Sequence, residues 1–178
     1  MDSTGRIRHM TELQLATPVL VPYREETKLK DKFAKIGELA LGLSDRPYTE
    51  EDYAIAHGWW TEYGRGHLEH FMLSPLGCVI EQDGKPLAMG WIYLTNSFFA
   101  QLGWVVTNPK IGPKIKAAAL VRLFIMGEEL IKHHGFKAIQ MLSDQPVLTK
   151  LAMACGWTKM VQHDFLVRSL VEDKDDDI

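Results

Sequence analysis

Three lysines and two prolines crowd the stretch Asn108-Pro109-Lys110-Ile111-Gly112-Pro113-Lys114-Ile115-Lys116-Ala117, and Pro113 sits where a helix would begin. Proline suits the first turn of a helix, where it loses no hydrogen bond the helix would have made. The pattern predicts a helix from Lys114 to His134. Ile115, Ala118, Ala119, Leu123, Met126, Leu130 and Ile131 form its buried face, and Gly135 caps its end. Lys132, His133 and His134 suit the negative end of the helix dipole. Lys110, Lys114 and Lys116 oppose the positive end, at a few tenths to ~1 kcal/mol each. Two readings account for them: flexible side chains pointing into water, or an anion such as a phosphate or pyrophosphate held on the exposed backbone N–H groups.

Other residues could move protons. Asp144, Ser143, Tyr93 and His163 are polar groups near predicted strand ends, and such groups act when held within hydrogen-bond reach of the proton. No spacing among them singles one out. His67-Leu68-Glu69-His70 sets two histidines three apart, but a zinc site needs further ligands. None is marked, so no metal is expected. Trp59-Trp60 reads either as a substrate platform or as a pair of core or interface anchors. Cys78 and Cys155 lie in apolar runs and read as small buried hydrophobes.

The elements that must position these groups follow from periodicity. Pro18 to Tyr23 reads as an edge strand bounded by prolines. Glu25 to Leu43 has apolar residues at helical spacing, and Ser44-Asp45-Arg46-Pro47 ends that helix. Thr49 starts a second helix, rich in acid at its positive end and broken by Gly64-Arg65-Gly66. Cys78 to Gln82 and Lys85 to Leu94 flank Asp83-Gly84, a strong hairpin signal. Phe99 to Val106 adds a third strand to this meander, and Lys137 to Leu142 is a further strand beyond the long helix. Pro146 to Cys155 is a short helix, and Lys159 to Leu170 alternates like a strand. The strand–helix–strand crossover from 99 to 142 implies parallel or splayed neighbours.

At 178 residues the chain is long enough for one buried core. The expected division is a flexible segment 1–14, one domain 15–170 and an acidic flexible tail 171–178. A net charge of −3 makes no case for nucleic-acid binding. No apolar run reaches the ~18 residues of a membrane span, and the N-terminus lacks an apolar signal region. A soluble protein in a reducing compartment is expected.

Gly90-Trp91-Ile92-Tyr93-Leu94, Trp104 to Pro109, the long helix, and Leu151-Ala152-Met153-Ala154-Cys155-Gly156-Trp157 together resemble the GNAT superfamily of acyl-CoA-dependent N-acyltransferases over roughly Cys78 to Leu170. The Trp59-Trp60 pair, Asp83-Gly84-Lys85-Pro86, Gly90 to Ser97 and Trp104 to Pro109 are most similar to GNAT-like proteins of tailed bacteriophages. The resemblance implies an α/β (α+β) fold with a mixed, mostly antiparallel sheet, splayed parallel strands and flanking helices. It implies acetyl-CoA as cofactor, held by Trp104, Val105, Val106, Lys110, Gly112, Lys114, Lys116 and Ala117. The pantetheine would pair with the splayed edge at Val105-Val106, and the pyrophosphate would rest on the turn.

The family's loop has an arginine followed by spaced glycines. Here the arginine position is Gly112, and the glycine positions are Pro113, Ile115 and Ala117. Proline has no N–H to donate and isoleucine adds bulk. The family's acid tyrosine falls on Ala152 and its asparagine on Gln145, while Gln101 and Gly103 occupy the stretch that often carries a carboxylate base. Two expectations follow. One is acetyl transfer from acetyl-CoA to an amine of a small molecule or protein, through a degenerate cofactor loop. The other is a non-catalytic GNAT-like phage protein acting in virion assembly or host interaction, with a homodimer or a phage or host protein as partner. Either places the chain in the cytoplasm or, for a phage protein, in the host cytoplasm or virion.

Overall fold

The computed structural model describes residues 27–159, with side chains from Phe33 onward. In chain order these make helix α1 (Thr27–Leu41), strand β1 (Ser44–Pro47), helix α2 (Asp52–Glu62) and a single 3-10 turn (His70–Met72). Strands β2 (Gly77–Gln82), β3 (Lys85–Leu94) and β4 (Phe99–Thr107) follow, then helix α3 (Pro113–His133), strand β5 (Ala138–Met141) and helix α4 (Pro146–Ala154). The expected segment 1–14, the strand at 18–23, the strand at 159–170 with His163, and the tail at 171–178 lie outside the described residues, save Lys159.

The hairpin forms where Asp83-Gly84 predicts it. Both residues have left-handed backbone, φ 52° and 72°, the two-residue turn whose twist matches its flanking strands. The sheet has five strands in sequence order, β1 to β5. Three pairings are antiparallel and β4–β5 is parallel, with α3 as the crossover. The fold is therefore mixed α/β, as expected. Among the described residues, no helix is long and apolar enough to cross a membrane.

Two cores cover the two faces of the sheet. On one, α1, α3 and α4 bury Ile36, Leu123, Phe124 and Leu151 against Cys78, Ile80, Ile92 and Leu102. On the other, α2 buries Ala56, Trp59 and Trp60 against Val79, Met89, Trp91 and Val106. Trp59 and Trp60 are 7% and 3% exposed, so they anchor the core and offer no open platform. Cys78 is buried, and burial pushes its thiol up to about 12, which makes it an unreactive core group. Cys155 is exposed, against expectation; it follows the last helical residue of α4 and so escapes that helix's apolar face.

Ser44-Asp45-Arg46-Pro47 is a strand, not only a helix stop. Its turn-forming residues carry little strand propensity, but they pair with β2 across Ser44–Glu81 and Pro47–Cys78. Side chains reinforce it: Arg122 Nε of α3 donates to Asp45 Oδ1 at 2.9 Å. Thr49 acts at the start of α2 differently from the expected cap. Its backbone N–H and its hydroxyl both donate to Asp52 Oδ2, at 2.9 and 3.1 Å, the reciprocal half of a capping box.

Helix α2 ends in a Schellman motif. Gly64 has φ 66°, and its N–H reaches Thr61 O at 2.9 Å while the Arg65 N–H reaches Trp60 O at 3.0 Å. A residue with a β-carbon would be strained there, which explains the glycine. Helices α3 and α4 end in the same way at Gly135 and Gly156.

Candidate active site

The cleft begins with one extra residue in β4. Trp91 of β3 pairs with Gly103, but Met89, two residues back, pairs with Val106, three residues on. The surplus is a β-bulge centred on Trp104, whose φ is 53°. Non-glycine residues rarely adopt that backbone, and bulges bend a strand and raise its twist. Side chains before and after the bulge also exchange faces. Leu102 packs on the α3 side, whereas Val106 packs on the α2 side.

The parallel pairing of β4 with β5 runs from Phe99–Ala138 only to Leu102–Met141. Beyond that point the strands part, at the bulge. A cleft of about 640 Å³ fills the fork. One wall is Leu102, Gly103, Trp104 and Val105 of β4; the facing wall is Met141 to Gln145 with Leu148 of α4. Trp60, Tyr63, Arg65, His67, Leu68 and Met72 line the side nearest α2. The ladder ends at Leu102, so the Gly103–Val105 edge of β4 is open toward β5.

The fork brings together some of the residues singled out by sequence. Trp104 and Val105 line it, as do Ser143 and Asp144. Ser143 Oγ accepts the Gln145 N–H at 3.0 Å, and Asp144 Oδ1 accepts from Gln145 Nε2 at 3.1 Å. Val106 is 2% exposed and turned into the α2 core. Tyr93 does not line the cleft. Its hydroxyl donates to Met72 O at 2.6 Å, and burial pushes its phenol above its ordinary value.

At the turn, Asn108 Oδ1 accepts the Lys110 N–H at 2.9 Å, and Gly112 precedes Pro113 with extended backbone and no side-chain cap. Nothing lies within 4 Å of where a β-carbon on Gly112 would stand, so there is room for a ligand. The first intrahelical bond is Lys116 N–H to Gly112 O. The N–H groups of Lys114 and Ile115 precede it and face outward as helix-start donors. Pro113 contributes none.

Two of the three lysines have protein partners. Lys110 Nζ lies 3.5 Å from Glu62 Oε1. Lys116 Nζ donates to Tyr63 Oη and to Pro109 O, both at 3.0 Å. Lys114 is exposed, and Ala117, in the second turn of α3, packs against the core.

Sequence reasoning missed Tyr63, Arg65 and His67 as cleft residues. Tyr63 Oη also meets Thr107 Oγ1 at 3.1 Å, tying the end of α2 to the end of β4. His67 Nδ1 lies 2.7 Å from His57 Nε2, and its Nε2 lies 2.9 Å from Glu69 Oε1. His70 instead sets its ring edge against Tyr53. The signal for Arg65 was the Gly64-Arg65-Gly66 break itself, which fixes where the intervening side chain must project.

No family model matches the sequence, and no curated protein matches it. Solved structures do match. Glucosamine-6-phosphate N-acetyltransferase from Arabidopsis thaliana superposes with a TM-score of 0.51 at 13% identity, over 72% of this chain and 99% of that one. The fold is the GNAT fold. A transcriptional regulator from Bacillus halodurans C-125 gives 0.51 at 17% identity, over 71% and 99%. N-acetylglutamate synthase from Neisseria gonorrhoeae, solved with coenzyme A and N-acetyl-glutamate, gives 0.50 at 12% identity over 62% of this chain and 27% of that longer one. Identities this low carry the architecture and nothing finer.

Proposed function

We propose that the protein is an acyl-CoA-dependent N-acyltransferase that moves an acetyl group from acetyl-CoA to an amine. The observation that supports it is the fork: a bulge at Trp104 ends the β4–β5 pairing and leaves an open strand edge facing a cleft of about 640 Å³. An edge of that kind pairs with an extended amide-bearing chain by main-chain hydrogen bonds. The residues fit the cofactor at two places, the edge Gly103–Val105 and the Lys114 and Ile115 N–H groups above an uncrowded Gly112.

When bound, acetyl-CoA supplies an activated acyl group as a thioester. The chain's own part is to position and to exclude water. Trp104, Leu142 and Leu148 supply apolar surface to the cleft. Asp144 is the carboxylate that lines it, placed to hold an ammonium group or accept its proton. In the transfer the amine nitrogen bonds to the acyl carbon and the carbon–sulfur bond breaks. The amine loses one proton and the leaving thiolate gains one. Supply of acetyl-CoA puts the activity in a cytoplasm.

Calorimetric titration with acetyl-CoA tests this reading. Saturable heat with a rise in melting temperature is expected, and no response at millimolar cofactor would sink it. A second reading, a non-catalytic GNAT-like protein that binds a partner, draws on the turn. Pro113 removes a donor there, and Lys110 and Lys116 are engaged by Glu62, Tyr63 and Pro109. On the sequence resemblance to tailed-phage proteins, that partner would be a virion or host protein. Turnover of any amine with acetyl-CoA, lost in Trp104→Pro, would exclude it.

A further inference from the structure

The described arginines with side chains are three, and two are spoken for. Arg46 meets Asp52 and Glu81, and Arg122 meets Asp45. Arg65 meets no carboxylate among the described residues. It lies on the wall of the cleft, with Nη1 3.5 Å from Val105 O and its guanidinium carbon 5.6 Å from the centre of the Tyr63 ring.

Its place is built. The Arg65 N–H closes the end of α2 on Trp60 O at 3.0 Å. Gly64 and Gly66, both at positive φ, bracket it. Tyr63 beneath it is held by Thr107 and Lys116. The facing wall carries Asp144, while Met72, Trp104, Leu142 and Leu148 expose apolar surface. The cleft thus offers a guanidinium from one wall, a carboxylate from the other, and apolar surface elsewhere.

We propose that the acceptor is a small amine that carries a carboxylate, an amino acid with an apolar side chain, and that Arg65 binds its carboxylate. This rests on the acyltransferase reading. A guanidinium binds a carboxylate through two parallel N–H···O bonds, and the amine of the same molecule would face Asp144. The competing account is that Arg65 only balances the negative end of α2. That role would shift stability slightly and leave acceptor choice alone.

The test compares L-leucine with L-leucinamide and L-phenylalanine with L-phenylalaninamide in acetyl-CoA turnover. The amides have the less basic amine, so a preference for the acids cannot come from nucleophile availability. The acids should show kcat/KM about 10- to 100-fold higher, the worth of one charge-assisted pair. Arg65→Gln should erase that preference, read as the acid-to-amide ratio of kcat/KM within the variant. Equal use of acid and amide, or a preference that survives Arg65→Gln, overturns the proposal. In parallel, each acid is titrated without acetyl-CoA while the Arg65 Nε–H signal is followed by NMR. If neither compound turns over yet the acids shift that signal, acyl transfer fails and the carboxylate site stands. If neither acid turns over or binds, the site is refuted.

Discussion

Arg46 holds Asp52 with two nitrogens at once, Nη1 to Oδ2 and Nη2 to Oδ1, each at 2.7 Å. The carboxylate is 3% exposed, and Thr49 donates to it twice more. This pair fastens the start of α2 to β1, and α2 in turn presents Tyr63 and Arg65 to the cleft. Removing Arg46 strands the buried Asp52 charge. Arg46→Ala is expected to cost about 3 kcal/mol in denaturant unfolding at pH 7.

The same carboxylate sets an acid limit. The Arg46 guanidinium holds Asp52 below its ordinary value of 3.8, with the Thr49 donors adding to it. A lowered folded-state value means stability that is complete above the ordinary value and lost as pH falls through the lowered one. Asp52→Asn should therefore be less stable than the parent at pH 7, with the gap narrowing below pH 3.8. Unfolding free energies at a series of pH values check it, and a constant gap would refute it.

Gly77 should tolerate no side chain. A β-carbon there would stand 2.6 Å from Tyr48 Cβ and 2.7 Å from Trp91 Nε1, and Trp91 is fully buried. Gly77→Ala is expected to lose about 1–3 kcal/mol by overpacking. Gly90→Ala meets instead the flexible end of Leu123 at 2.9 Å and should lose less. Thermal unfolding of the two variants ranks them.

Trp104 can be tested through its backbone. Trp104→Gly removes a strained positive φ together with a side chain that is 45% exposed, so stability should stay within about 1 kcal/mol of the parent. Trp104→Pro cannot reach φ 53°, since the ring holds φ near −65°. It should abolish acetyl-CoA binding measured by calorimetry.

Pro113→Ala restores one N–H at the start of α3. If that donor reaches the pyrophosphate, affinity for acetyl-CoA should rise by about 1 kcal/mol, roughly fivefold. An unchanged dissociation constant would show that the cofactor's phosphates lie elsewhere.

The hairpin, α2, α3 and α4 were legible because their signals are local: Asp83-Gly84 for a two-residue turn, prolines in first turns, glycines just past helix ends. The strand at Ser44–Pro47 was not, because the partners that hold it, Glu81 for Arg46 and Arg122 for Asp45, lie 35 and 77 residues along the chain. The cleft was half legible. The splayed edge was expected at Val105-Val106, but a bulge leaves no mark in composition, so the turning of Val106 into the α2 core was hidden. Lys110 and Lys116 looked like a ligand's charges because Glu62 and Tyr63 are about fifty residues away in the chain.

The extra residue at Trp104 works like a frameshift. It lets β4 send Leu102 to the α3 side and Val106 to the α2 side, so α2 docks only on the shifted frame. Delete it, and the fork closes at the same time as Val106 leaves the core beneath Trp59 and Trp60. Cleft and scaffold are therefore one inheritance: any descendant, whatever it does with the cleft, would have to keep the opening in order to fold.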